Sequence, residues 1–164
     1  MTRLPKDSRI LIACEESGTV RDAFLRLGYA NTYSCDLKPN PHPNHIQGDV
    51  RDLLNQGWNM MIGFPDCTYL ASSGARWLYN KEYYELPKED REKVKHLDKY
   101  KNLDRWELME KALDFFRLLM NASIHRIALE NPVGVISTRI RKPDQIIQPW
   151  QFGHTAQKTT CLWL

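Results

Sequence analysis

The sequence predicts an α/β fold, a mostly parallel sheet with helices on both faces that ends in a C-terminal antiparallel hairpin. Three observations carry that reading. Short apolar runs alternate with amphipathic stretches along most of the 164 residues. Acidic, amide or thiol side chains follow one run after another, where a parallel sheet presents its carboxyl ends to a ligand. The tail offers two further strand-like segments separated by Phe152-Gly153-His154, the pattern of a closing hairpin.

Taken in order, Arg9 to Ala13 has the apolar content of a buried strand. Beyond Glu15, Glu16 and Gly18, the residues Val20, Ala23, Phe24 and Leu27 fall at helical spacing, and Gly28 is a natural stop. Asn31 to Cys35 reads as a second strand ending at Asp36. The prolines at 39, 41 and 43 make Lys38 to Asn44 a loop, because proline has no N–H to donate. His45 to Gly48 is a brief third element ending at Asp49, and Trp58 to Gly63 is a strand that runs into Phe64-Pro65-Asp66-Cys67. From Tyr79 to Asp104 the chain is dense in Lys and Glu and broken by Pro87, which reads as a solvated excursion with some helix and as the best candidate for a mobile lid. Trp106, Met109, Leu113, Phe116 and Met120 recur at helical spacing and read as core packing. Ile124 to Leu129 is the next strand, ending at Glu130-Asn131-Pro132, where the proline points to a constrained loop. Gln145 to Gln151 and Thr159 to Leu164 form the hairpin.

The length suits one core, so residues 1–164 read as one domain with a charged excursion at about 76–104. With 42% hydrophobic residues, 26% charged residues and five Trp, the composition excludes a disordered or fibrous chain. No signal-type apolar stretch follows the first basic residues, and no run reaches the roughly 18 apolar residues of a membrane span, so a soluble cytoplasmic protein is expected. The cysteines at 14, 35, 67 and 161 lack C-x-x-C spacing, so reduced thiols and no metal site are expected. A net charge of +3 admits nucleic acid without requiring it.

The loop Cys14-Glu15-Glu16-Ser17-Gly18 lacks the G-x-G-x-x-G pattern that cradles a pyrophosphate, and its two carboxylates would repel one. They suit S-adenosylmethionine, which carries an ammonium and a sulfonium, and equally suit a helix N-terminus whose dipole favours acids. Asp36 can accept hydrogen bonds from a ribose diol. Asp49 can do likewise or cap a short helix that has Asp52 in its first turn. Cys67 follows a strand and Pro65 and precedes Ser72, Ser73 and Gly74, while Glu130 ends the neighbouring strand. A thiol and a carboxyl on one cleft edge are the components of nucleophilic catalysis with a proton donor.

On these residues the chain resembles the C5-cytosine DNA methyltransferase family through most of its length. Gly63-Phe64-Pro65-Asp66-Cys67-Thr68-Tyr69-Leu70-Ala71-Ser72-Ser73-Gly74 is similar to that family's G-x-P-P-C-Q-x-F-S-x-x-G segment. Glu130-Asn131-Pro132 stands where the family has E-N-V, and Phe152-Gly153 followed by Gln157 resembles Y-G-V-P-Q-x-R-x-R. The segment Arg141 to Trp150 and the ending K-T-T-C-L-W-L look like those of compact members encoded by bacteriophages. The resemblance implies a Rossmann-like class I methyltransferase sheet and transfer of a methyl group from S-adenosylmethionine to C5 of cytosine in DNA, with Cys67 as nucleophile and Glu130 as acid. It implies cofactor contacts from Glu15, Glu16, Ser17, Gly18, Asp36, Asp49 and Pro65, and substrate contacts from Asn131, Ser72, Arg76, Gln157 and Lys158. The sequence departs from the family in its first loop, in Asp66 for a proline, in Thr159 and Cys161 for arginines, and in having no separate target-recognition region. Two other readings stay open: a methyltransferase-like factor that binds nucleotide or protein without catalysis, and a methyltransferase for RNA or a free nucleotide. A second copy of the chain could complete a truncated recognition surface, which makes a homodimer conceivable.

Overall fold

Ile10, Leu11, Ile12 and Ala13 are all fully buried, which requires an apolar layer on each side of the strand they form. In the computed structural model, which describes residues 3–164, that strand is β1 (Ile10–Ala13), at the centre of a seven-strand mixed sheet. On one side lie β2 (Thr32–Asp36) and β3 (His45–Gln47), and on the other β4 (Met60–Gly63) and β5 (Arg126–Pro132), all parallel to it. Beyond β5, β7 (Thr160–Trp163) runs antiparallel to it and is flanked by the edge strand β6 (Gln145–Ile147), which is antiparallel to β7 and so runs in the direction of β1 to β5. The order is β3-β2-β1-β4-β5-β7-β6.

The period-two alternation of side chains divides the core between the two faces. Ile10 and Ile12 pack with Tyr29 and with Val20 and Phe24 of α1 (Thr19–Arg26). On the opposite face, Leu11, Ala13, Met61, Leu129 and Trp163 pack against Met109, Leu113, Phe116 and Leu119 of α5 (Leu103–Met120), with the turn Val50–Leu53 and Trp58 completing the layer. The apolar stripe at helical spacing is therefore core, with Phe116 edge-on to Trp163 at 5.2 Å. Each such large side chain contributes about 1.5–3 kcal/mol on burial.

Several element boundaries differ from the sequence reading. Of the expected hairpin strand from Gln145 to Gln151 only Gln145–Ile147 pairs as β6, because Pro149 starts a 3-10 turn, Pro149–Phe152, that the Gln148 and Gln151 side chains cap. β5 begins at Arg126 instead of Ile124. The strand expected to stop at Leu129 continues through Glu130, Asn131 and Pro132, because Trp163, Leu162, Cys161 and Thr160 of β7 pair with Leu129 through Pro132. Pro132 is the last paired residue, where a missing N–H is tolerated. Trp58 lies outside β4, since its indole N–H donates to the Leu53 carbonyl at 2.8 Å and folds it into the preceding turn.

The charged segment contains α2 (Ser72–Ala75), α3 (Lys81–Glu85), α4 (Lys88–Val94) and a turn at Asp98–Tyr100. An antiparallel bridge between Tyr79 and Lys101 closes its base, and the Asn80 amide donates to the Lys99 carbonyl at 2.7 Å. Tyr79 and Tyr83 stack at 4.1 Å. Its charges pair locally, Lys81 with Glu85, Lys93 with Asp90, Lys95 with Glu92 and Lys101 with Asp98. Among the described residues no helix is long and apolar enough to cross a membrane.

Candidate active site

Parallel strands deliver the residues that follow them to a common edge. Here β1 leads to Cys14–Gly18, β2 ends at Asp36, β3 leads to Asp49, β4 leads to Phe64–Cys67, and β5 carries Glu130 and Asn131.

Cys67 sits in a loop held from three directions. The Phe64 amide donates to the Ala13 carbonyl at 2.9 Å, extending the ladder one residue past β4. The Asp66 carboxylate accepts from the Thr68 amide at 2.9 Å and the Thr68 hydroxyl at 2.7 Å, which turns the chain. The amides of Leu70 and Ala71 donate to the Cys67 carbonyl at 3.0 and 2.9 Å. From α5, Arg105 donates to the carbonyls of Thr68 at 2.9 Å and Gly74 at 3.3 Å while its guanidinium covers the Tyr69 ring at 4.9 Å. Cys67 itself is half-buried.

The third hold comes from β5 and its exit loop. Asn131 is fully buried and its amide donates to the Pro65 carbonyl at 2.8 Å, while Oδ1 has no partner among the described residues. The Ser72 amide and hydroxyl both donate to the Val133 carbonyl at 2.9 Å, and the Val135 amide donates to the Leu70 carbonyl at 2.8 Å, just before α6 (Ile136–Arg139). Gly134 makes this contact possible: a Cβ there would lie 1.9 Å from the Leu70 oxygen. The Cys67 loop and the Glu130 strand are thus joined residue by residue.

Glu130 lies one residue past the pair Gly63–Leu129, alongside the start of the chain that leads to Cys67. Burial pushes its carboxyl above the ordinary range, and the Lys158 ammonium opposes that shift, which places Lys158 within electrostatic reach. The shift makes the carboxylic acid form easier to keep than in a solvated glutamate.

The first loop is engaged more fully than its composition suggests. Glu15, expected at the cofactor, is 6% exposed, and its two oxygens accept from the amides of Val20 at 2.6 Å and Arg21 at 3.2 Å. Its side chain caps α1, because the free amides of a helix N-terminus bind a carboxylate. Glu16 is exposed and pairs with Lys38 at 2.9 Å, and the Asn40 amide donates to its carbonyl at 2.7 Å. Ser17 accepts from the Thr19 amide at 3.3 Å. Gly18 adopts φ +74°, with the buried Arg21 guanidinium where a Cβ would project. Arg21 is held by Asp22 at 2.8 Å and the Ser34 hydroxyl at 2.9 Å.

Asp36 accepts from the Lys38 amide at 2.9 Å through Oδ1, and its other oxygen accepts nothing among the described residues. Asp49 caps the turn Val50–Leu53 and pairs with Arg51 at 2.7 Å, and that guanidinium holds its carboxyl below the usual range. Cys14, at φ +57°, has its thiol pushed up to about 12 by burial first and then by Asp36, Cys35 and Asp49. Asp36 and Asp49 therefore both act on the end of β1.

The expected substrate contacts divide. Asn131 and Ser72 both bond across the loop junction, Asn131 through its amide and Ser72 through its hydroxyl. Arg76 is exposed and lies over the Trp77 ring at 4.8 Å. Gln157 and Lys158 are exposed on the approach to β7. Arg105, Tyr69 and Gly134 escaped the sequence reading. Gly134, two residues after Pro132, carried a detectable signal, but nothing in the helical spacing of Arg105 points to Thr68. Among the described residues no cluster of His, Cys, Asp and Glu could hold a metal ion. No protein-family model matches the chain, and no curated protein matches it.

Proposed function

We propose that the chain is an S-adenosylmethionine-dependent methyltransferase acting on C5 of cytosine in DNA, with Cys67 as nucleophile and Glu130 as proton donor. The observation that carries the proposal is the junction of Asn131 with Pro65, Ser72 with Val133 and Val135 with Leu70, which fixes a thiol loop to a strand bearing a half-buried acid. A seven-strand sheet of order β3-β2-β1-β4-β5-β7-β6, in which β7 runs against the other six strands, agrees with the class I methyltransferase architecture that the sequence resembles.

The residues present fit the cofactor by the chemistry of their donors. The edge at β1 and β2 presents carboxylates and no phosphate cradle, and the Cys14 thiol there is pushed up by burial first and then by the charges of Asp36, Cys35 and Asp49. Asp36, with one oxygen free, would take the ribose hydroxyls, while Glu16, Ser17, Gly18 and Pro65 border the same edge. Glu15 and Asp49 shape the loops through α1 and Arg51. Bound there, S-adenosylmethionine would supply an electrophilic methyl group.

On the substrate, Cys67 gives up its thiol proton to solvent and forms a bond from Sγ to C6 of cytosine while Glu130 gives its proton to N3. The electron pair of the 5,6 double bond is thereby placed at C5, the atom that becomes nucleophilic. After alkylation, loss of the C5 proton to a water-borne base expels the Cys67 thiolate, and N3 returns its proton to Glu130. A duplex substrate must turn its cytosine out of the stack to reach Cys67.

The test is transfer of a radiolabelled methyl group from S-adenosylmethionine to cytosine-containing DNA. Cys67→Ser is expected to abolish it, and DNA containing 5-fluorocytosine is expected to trap an adduct that peptide mass spectrometry places on Cys67. A folded protein that shows no calorimetric binding of S-adenosylmethionine and labels no DNA would overturn the proposal.

A further inference from the structure

Beside the Cys67 loop the surface opens into a cleft of about 410 Å³ lined by Tyr69, Trp77, Asn102, Asp104, Arg105 and Leu108. That volume lies within the range of about 300–1,000 Å³ found for small-molecule sites. The cleft adjoins the proposed reacting centre directly, because Arg105 is bonded to the carbonyl of Thr68, the residue after Cys67.

Four lysines of the neighbouring excursion pair with carboxylates, whereas Arg105 in the cleft wall and Arg76, next to Trp77 in the chain, have no carboxylate partner among the described residues. Each covers an aromatic ring instead, Arg76 over Trp77 and Arg105 over Tyr69. Trp77 remains 54% exposed, a large apolar plane left open at the mouth of a polar cleft. Asn102 uses its side-chain oxygen to cap α5, and its Nδ2 donates to nothing among the described residues. Asp104 has no ion pair among the described residues and offers an acceptor at the same wall.

We propose that this cleft binds an unstacked nucleobase of single-stranded nucleic acid, with the base stacked on Trp77 and the adjoining phosphates neutralised by Arg76 and Arg105. A half-exposed indole beside two guanidinium groups whose charges no carboxylate offsets matches a base and its backbone, and stacking on an aromatic side chain tolerates any base identity. Asn102 and Asp104 supply one donor and one acceptor for a base edge. In a duplex both faces of each base are covered by its neighbours, so the indole has no plane to meet unless the base leaves the helix. The cleft therefore favours a single strand over a duplex. The inference rests on the proposed activity only for its placement beside Cys67, since binding itself needs no reaction.

The test is fluorescence anisotropy with short labelled strands of one sequence as single-stranded DNA, single-stranded RNA and duplex DNA, together with a strand of the same backbone lacking bases. Either single strand is expected to bind well above the duplex and the base-free strand, and the DNA and RNA arms identify which sugar the protein accepts. Trp77→Ala is expected to weaken single-strand binding about tenfold or more, with Trp77→Phe keeping most of the affinity. Because Trp77 is exposed, an unchanged thermal melt should accompany the loss. Equal affinity for duplex and single strand, or an affinity unaffected by Trp77→Ala, overturns the inference, as does a Trp77-dependent self-association that excludes the strand. Trp77-dependent strand binding without methyl transfer sustains it while defeating the proposed activity. Methyl transfer with a KM for single strands unaltered in Trp77→Ala defeats it alone.

Discussion

Replacing Gly134 by alanine places one methyl group where the two halves of the candidate site touch. The new Cβ would lie 1.9 Å from the Leu70 carbonyl oxygen, 2.8 Å from its carbon and 2.9 Å from the Ala71 Cα. All three are backbone atoms, so no rotamer change relieves the overlap and the loops must separate by more than an ångström. Overpacking of this kind costs about 1–3 kcal/mol. Separation also strains the bonds from the Val135 amide to Leu70 and from Ser72 to Val133, each with a net value of about 0.5–1.5 kcal/mol. The expected loss is about 2–5 kcal/mol, a large part of the roughly 5–15 kcal/mol typical of a domain. Equilibrium urea unfolding measures it, with Gly48→Ala as the control. A Cβ at Gly48 meets nothing within 4 Å, so that variant should shift stability by less than about 1 kcal/mol. Under conditions where Gly134→Ala is fully folded, methyl transfer should still fall, because Cys67 no longer sits against the Glu130 strand. A Gly134→Ala protein within about 0.5 kcal/mol of the parent refutes the reasoning, since the loops would then not be in the contact described.

Two further perturbations probe the same junction. Asn131→Ala leaves the Pro65 carbonyl without its donor in a buried setting and should cost about 1–3 kcal/mol in urea unfolding, together with faster alkylation of Cys67 as its loop loosens; unchanged stability and alkylation would show that the amide does not hold the loop. Glu130→Gln tests the raised carboxyl through the pH dependence of stability. Because the folded value lies above the ordinary value near 4.5, the native state binds its proton more readily, so the Glu130 contribution is full below 4.5 and is lost as pH rises through the folded value. Unfolding titrations from about pH 4 to 8 should show the parent losing stability relative to Glu130→Gln as pH rises and then levelling off; a gap that is flat or of opposite sign contradicts the buried acid.

The parts of the fold legible in the sequence are those set by local pattern. The buried run at Ile10–Ala13, the spacing of Val20 and Phe24, the prolines after Asp36 and the stripe from Met109 to Phe116 each encode an element without distant partners. The extent of β5 was illegible, because Asn131-Pro132 is a loop signal that only the pairing with Cys161 and Thr160 overrides. Site residues divide the same way. Residue type and strand position brought out Cys67, Asp36 and Glu130. What Glu15 does depends on α1 folding over it, and what Asn131 does depends on a carbonyl 66 positions earlier in the chain. Arg105 illustrates the limit most clearly, since two backbone oxygens of a remote loop define its role and carbonyl direction leaves no trace in residue identity.

These assignments change the meaning of the acidic strand ends. A loop with two glutamates, followed by Asp36 and Asp49, implies from composition alone a strongly negative cleft suited to a cationic ligand. In the fold, helix amides take up Glu15, Lys38 takes Glu16 and Arg51 takes Asp49, so three of the four carboxylates are already satisfied. Asp36 keeps an unengaged oxygen, and the Cys14 thiol beside it stays protonated because ionisation would add charge to a buried position near two carboxylates. The unengaged acceptor at this edge is then an oxygen of Asp36, beside neighbours whose carboxylates already have partners. At β4 and β5, Asn131 and Ser72 bond across the loop junction, while Cys67 and Glu130 stay half-buried.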